Sequence, residues 1–143
     1  MFRKLMYKKW LERVKEDPEN IVYVPKKYKD YNMYLEAVKR NGLLLDQIPY
    51  TYRSYELCLA AIMDYSDMIE IVPDEIKTYE MCLYAIKDDG TLLRSEKYIP
   101  EKYRDYELCL EAVNQNGKAI KYVPKEFVNS IMNELMLIEI KCC

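Results

Sequence analysis

Histidine is absent from the 143 residues. That removes imidazole acid–base catalysis, nucleophile–histidine dyads and Cys/His zinc sites. The only glycines, Gly42, Gly90 and Gly117, are too scattered to build a phosphate-cradling loop. No uncharged apolar run is long enough for a transmembrane helix. The opening Met-Phe-Arg-Lys-Leu-Met-Tyr-Lys-Lys-Trp places charges where a signal peptide needs an apolar centre, so secretion is not expected. A formal net charge of -2 gives no general attraction to nucleic acid or acidic lipid. The five cysteines are an odd number, and three recur at one repeat position, which is no disulfide framework. A reducing, cytoplasmic compartment is expected. The Asp and Glu residues fall on exposed edges and read as solvated surface. No catalytic, metal or cofactor-binding residue is assigned, no cofactor is expected, and the chain reads as a non-enzyme.

What is present is charge asymmetry and repetition. Residues 1–53 carry 12 Lys/Arg against 7 Asp/Glu, while residues 54–143 carry 10 against 17. Pro25, Pro49 and Pro73 are 24 residues apart, Pro100 follows after 27 and Pro124 after 24. Each follows a β-branched residue: Val24, Ile48, Val72, Ile99 and Val123. In step with them run Tyr31, Tyr55, Tyr79 and Tyr106, then Leu35, Leu59, Leu83 and Leu110, then Ala37, Ala61, Ala85 and Ala112. Tyr7, Leu11 and Val14 precede Tyr31, Leu35 and Val38 by 24 residues. By length this is one domain. It divides into a partial unit (1–23), repeats 24–47, 48–71, 72–98 and 99–122, and a divergent unit (123–143). The 27-residue interval predicts a loop insertion near Arg94–Tyr98.

The unit has readable physics. Val/Ile-Pro pushes the preceding residue to extended geometry and suits a helix's first turn, so it predicts a short helix of about one to two turns. Asp30, Ser54, Thr78, Asp105 and Asn129 are N-cap types for a second helix. Glu56, Glu80 and Glu107 follow in its first turn, where the helix dipole favours them. The glycines suggest left-handed C-caps, with Ser66 in place of glycine in one unit. Tyr31, Tyr34, Leu35 and Val38 form one apolar face, widened by Met33 and Ala37. Such units cannot bury their own apolar faces and must stack. The fold class expected is all-α: short helix-turn-helix repeats forming an α-solenoid or compact helical-repeat domain.

The stretches Ile99–Gly117 and Val24–Gly42, with their Pro, Tyr, Cys-Leu-x-Ala-Val and Asn-Gly landmarks, resemble an uncharacterised helical repeat family. That family, of unknown function, is common in giant DNA viruses of amoebae and seen in some intracellular bacteria. The resemblance covers about residues 20–125 and implies a viral or pathogen origin, with the protein in host cytoplasm or virion. It carries over no catalytic residue.

Three regions invite function. Arg3, Lys4, Lys8, Lys9, Arg13 and Lys15 surround Trp10 on the first helix; they offer a nucleic-acid surface or a solubilising cap, and the cap is preferred. Most of the fifteen Tyr fall on apolar repeat positions and read as structural. The last helix is apolar on too many sides, so Leu135, Met136 and Ile138 either fold back on the core or meet a partner. Cys142 and Cys143 admit lipidation, an intermolecular disulfide or an inert tail, the last preferred. The leading expectation is a non-catalytic protein-interaction or scaffold module with self-association through its last helix. Nucleic-acid binding through Lys4, Lys8 and Lys9 is the alternative.

Overall fold

A short polar side chain just ahead of an apolar stretch starts a helix when its oxygen takes an otherwise unpaired backbone N–H. Four of the five caps do so. Asp30, Ser54, Thr78 and Asp105 accept from the N–H of Met33, Leu57, Met81 and Leu108 at 2.9, 3.3, 3.2 and 2.9 Å. In the computed structural model, which describes the backbone of residues 1–142 and the side chains of residues 1–137, each opens a ten-residue helix. These are α2 (Tyr31–Arg40), α3 (Tyr55–Asp64), α4 (Tyr79–Asp88) and α5 (Tyr106–Gln115). α1 (Phe2–Glu16) precedes them and α6 (Lys125–Cys142) follows. Short 3-10 segments join the helices, and no strand occurs among the described residues. The fold is all-α and helical-repeat in character. It comprises two compact units, Met1–Lys77 and Thr78–Cys143. In the first, α2 packs on α1 and α3; in the second, α5 packs on α4 and α6.

The buried face of these helices is rotated from the one expected. Met33, Tyr34, Ala37 and Val38 are buried in α2, and the same four positions are buried in α3, α4 and α5. Tyr31 and Leu35 lie half-buried beside that face, as do Leu59, Leu83 and Leu110. The centre belongs to the third and fourth helical residues and those one turn later. The alanines there let neighbouring helices approach closely.

The glycines are not left-handed C-caps, since none has positive φ. The helices end one residue earlier, on extended Asn41, Asp89 and Asn116. Each side-chain oxygen then accepts from the N–H two residues on, Leu43, Thr91 or Lys118, at 2.9–3.1 Å. This opens 3-10 segments over Gly42–Gln47, Gly90–Arg94 and Gly117–Tyr122. Asp17 does the same through Glu19 for Pro18–Val22. These segments carry Ile21, Leu44, Leu45, Leu92, Leu93 and Ala119 into the core.

After Val/Ile-Pro the expected helix of one to two turns is a single 3-10 turn at Lys26–Tyr28, Tyr50–Tyr52 and Glu101–Tyr103. Proline stands just outside each turn. A basic residue four positions after the proline secures it. Arg53 donates from Nε to Ile48 O at 3.0 Å, from Nη1 to Ile71 O at 2.9 Å and from Nη2 to Asp46 O at 3.3 Å. Arg104 Nε donates to Ile99 O at 2.9 Å, and Lys29 Nζ reaches Val22 O at 3.5 Å. Val128 stands at this position in the last unit and can bond no carbonyl. There the chain passes straight into α6, so Asn129 is an interior helical residue and not a cap. Residues Glu96–Tyr98, where the insertion was expected, form a turn held by Ser95, with Arg94 4.5 Å over the Tyr98 ring.

The tyrosines are structural chiefly through their hydroxyls, since only Tyr28 and Tyr34 are buried. Tyr7 donates to Asp30 at 3.1 Å, Tyr31 to Glu56 at 3.0 Å, Tyr79 to Asp105 at 3.2 Å, and Tyr106 to Glu134. Each bond ties one helix to the next or to its cap, 23 to 28 residues on. Loss of solvent, and then the Asp105 carboxylate, push the Tyr79 phenol up to about 12 from 10.0. Folding therefore favours the neutral phenol. This contribution is complete below pH 10 and is lost as pH rises from 10 towards 12. Tyr79→Phe should flatten the fall of thermal stability across that window while changing neutral-pH stability by only about 1 kcal/mol. Matched melting curves from pH 7 upward check this; an unchanged alkaline slope contradicts it.

Candidate functional site

A strongly basic concavity lies in the first unit. α1 extends one turn beyond the repeat register, so Arg3 and Lys4 stand 24 residues ahead of Lys27 and Tyr28. Helical spacing puts Arg3 and Tyr7 on one side of α1. The 3-10 turn Lys26–Tyr28 and the extended Lys29 and Asp30 supply the facing wall. Between them is an open groove of about 840 Å³, lined by Met1, Arg3, Lys4, Tyr7, Lys27, Tyr28, Lys29 and Asp30.

Four side-chain cations line this groove against one carboxylate. That carboxylate is engaged: Asp30 Oδ1 accepts from the Tyr7 hydroxyl at 3.1 Å and from the Met33 N–H at 2.9 Å. Desolvation, and then Asp30, hold the Tyr7 phenol above its ordinary range. The cations are loosely held. Arg3 Nη2 lies 3.3 Å from Lys27 O, and Lys27 Nζ lies 5.0 Å from the Tyr28 ring centre. Arg3, Lys4 and Lys27 are exposed, so their charge is available to a ligand.

Of the basic residues picked from the sequence, Arg3 and Lys4 line the groove, whereas Lys8 and Lys9 are exposed elsewhere on α1. Trp10 is half-buried, with Arg13 4.7 Å over its ring. Lys27 and Lys29 were missed. The 24-residue period sets Lys27 in register with Arg3, but register alone does not bring their side chains to one groove.

The second candidate region is α6, in the other unit. Ile131 is fully buried and Leu135 half-buried, while Met132, Met136 and Leu137 are 39%, 53% and 57% exposed. The side chains of Ile138, Cys142 and Cys143 lie outside the described residues. Met132, Met136 and Leu137 hold, counted from the proline, the positions of Leu108, Ala112 and Val113, which are buried in α5. α6 thus carries core-type residues on a face that nothing in its own unit covers.

Cys58, Cys82 and Cys109 are buried, filling one core position per helix. Burial pushes Cys58 and Cys109 up to about 11, so they remain protonated and unreactive at neutral pH. Among the described residues, no helix is long and apolar enough to cross a membrane.

Residues 80–128 match the model of a family described as a domain of unknown function, DUF4116. The matched stretch runs from the first turn of α4 through α5 into the start of α6. No curated protein and no solved structure matches the chain.

Proposed function

We propose that this chain is a non-catalytic interaction or scaffold module, its repeats continuing one another as a solenoid that presents surfaces to another protein. The supporting observation is α6. Met132, Met136 and Leu137 occupy positions that the preceding helix buries, yet they stand open. Contiguous apolar side chains on a polar-rimmed surface mark association sites. Either a second copy or a protein partner covers this face. The resemblance to repeats from giant DNA viruses of amoebae supports a viral origin, and with it a place in host cytoplasm or virion.

Light scattering coupled to size exclusion tests the self-association. The wild type is expected to exceed the monomer mass as concentration rises, and Met136→Glu/Leu137→Glu to remain monomeric. Both side chains are largely exposed, so folding should be preserved. A wild type that stays monomeric at high concentration removes the homo-oligomer.

A second reading, nucleic-acid binding, is favoured by the exposure of Lys4, Lys8 and Lys9 along α1. Its signature is binding to single-stranded DNA that weakens steeply with salt.

A further inference from the structure

We propose that the groove between α1 and the Lys26–Asp30 turn docks an acidic segment of a partner protein that also carries apolar side chains. This rests on the interaction-module reading and names the partner's chemistry. Three observations favour it over other anions.

First, the site concentrates positive charge in a chain that has none in excess. Arg3, Lys4, Lys27 and Lys29 border it, and the lone carboxylate, Asp30, is already held by the Tyr7 hydroxyl and the Met33 N–H. An anion entering the groove meets four cations and one carboxylate that already accepts two hydrogen bonds. Carboxylates form charge-assisted hydrogen bonds with both guanidinium and ammonium groups.

Second, three of the four cations are exposed and none is fixed around a common centre. Small phosphate ligands are recognised by preorganised, desolvated donors. Arg3, Lys4 and Lys27 lie in water on flexible stems. A peptide can meet them one at a time and gain from an electrostatic rim.

Third, the surroundings are apolar as well as basic, with the exposed Met1 in the lining itself. Phe2 and Leu5, on the same turns of α1, are 74% and 53% exposed, and Val22, just before the facing turn, is 52% exposed. Exposed apolar side chains beside a basic rim suit Leu or Phe alternating with Asp or Glu. The first unit also carries as many acids as bases, so it lacks the long-range field that draws a nucleic-acid strand.

Fluorescence anisotropy on the full chain tests the proposal. The probe is a short fluorescein-labelled peptide in which Glu alternates with Leu and Phe. The comparators are the same peptide with Ser replacing Leu and Phe, and a single-stranded DNA of equal charge. The Glu/Leu/Phe peptide should bind best, and its affinity should fall as salt rises. Arg3→Glu/Lys27→Glu should weaken it by roughly tenfold or more, about 1.4 kcal/mol. Both residues are exposed, and circular dichroism verifies that the variant folds. Lys8→Glu/Lys9→Glu, outside the groove, should change it far less. Equal weakening by the two variants would place binding in diffuse charge and overturn the groove. Tighter binding of the DNA overturns the peptide in favour of the nucleic-acid reading. No peptide binding, or binding that ignores Arg3→Glu/Lys27→Glu, also overturns the groove. Self-association through α6 is tested separately, by the light-scattering result, so failure of the groove leaves that part of the interaction-module reading untouched.

Discussion

Gly90→Ala destabilises the second unit by about 3 kcal/mol, while Gly117→Ala leaves it within about 0.5 kcal/mol of the wild type. The two glycines share a repeat position, both follow an Asx-type residue, and neither has positive φ. Conformational freedom therefore does not explain why either is glycine. Space separates them. A Cβ on Gly90 would lie 2.2 Å from Ala112 O, 3.0 Å from Ala112 C and 3.1 Å from Gln115 Oε1. Those atoms belong to α5, and two are backbone, so no rotamer change relieves the overlap. The Gly90 N–H also donates to Gln115 Oε1 at 2.7 Å, a bond that the shift would stretch. At Gly117 an added Cβ meets nothing within 4 Å. In the first unit, Gly42 repeats the crowded case against Ala61 O at 2.7 Å. Urea unfolding of the two alanine variants decides the matter. Equal midpoints would show that these glycines serve the chain conformation and not the close approach.

Arg53→Met should cost the first unit about 3 kcal/mol. Methionine keeps most of the aliphatic stem and removes only the donors. Three carbonyls, of Asp46, Ile48 and Ile71, lose their partner together. Two of those bonds are partly buried, where an unpaired acceptor is costly to leave. Because the fork spans the chain either side of the Val/Ile-Pro junction, its loss frees two stretches at once. Arg53→Lys should recover part of the loss, since one ammonium cannot reach three acceptors in the same geometry. Thermal melts of the three proteins check the order; a lysine variant as weak as the methionine one would show that charge alone contributes nothing.

The helix starts were legible because N-capping is local. Asp30, Ser54, Thr78 and Asp105 announce themselves within four residues of the bonds they make. Asn129 looked the same and failed. What keeps a cap extended lies one residue earlier, where Val128 replaces the Lys or Arg of the preceding units. The glycines misled for a related reason, since an Asn-Gly pair suits both a left-handed stop and an Asx opening of a 3-10 turn. The side-chain bond from Asn41, Asp89 or Asn116 to the N–H two residues on goes with the second form at all three glycines, including Gly117, which nothing presses upon. The face of the helices was read about one residue off, because tyrosine was counted as apolar. Its hydroxyl instead holds Tyr31 and Tyr79 at the edge, where they reach the next cap.

At the candidate sites, the charge on α1 could be read directly, but the pairing of Arg3 and Lys4 with Lys27 and Lys29 could not. It depends on where the three-residue turn sets its side chains. For α6, the apolar excess was plain in the sequence. That Leu135 turns partly inward while Met132, Met136 and Leu137 turn outward follows from a helix that starts at Lys125, without the break at Asn129.

The bare flank of Gly117 has an engineering corollary. It holds the repeat position that at Gly42 and Gly90 meets an alanine of the following helix, but the residue due there is Met136, turned outward on the unbroken α6. A builder who swapped the tail for another copy of the Pro100–Val123 cassette would find the berth already cut, and the array's length would become a matter of choice.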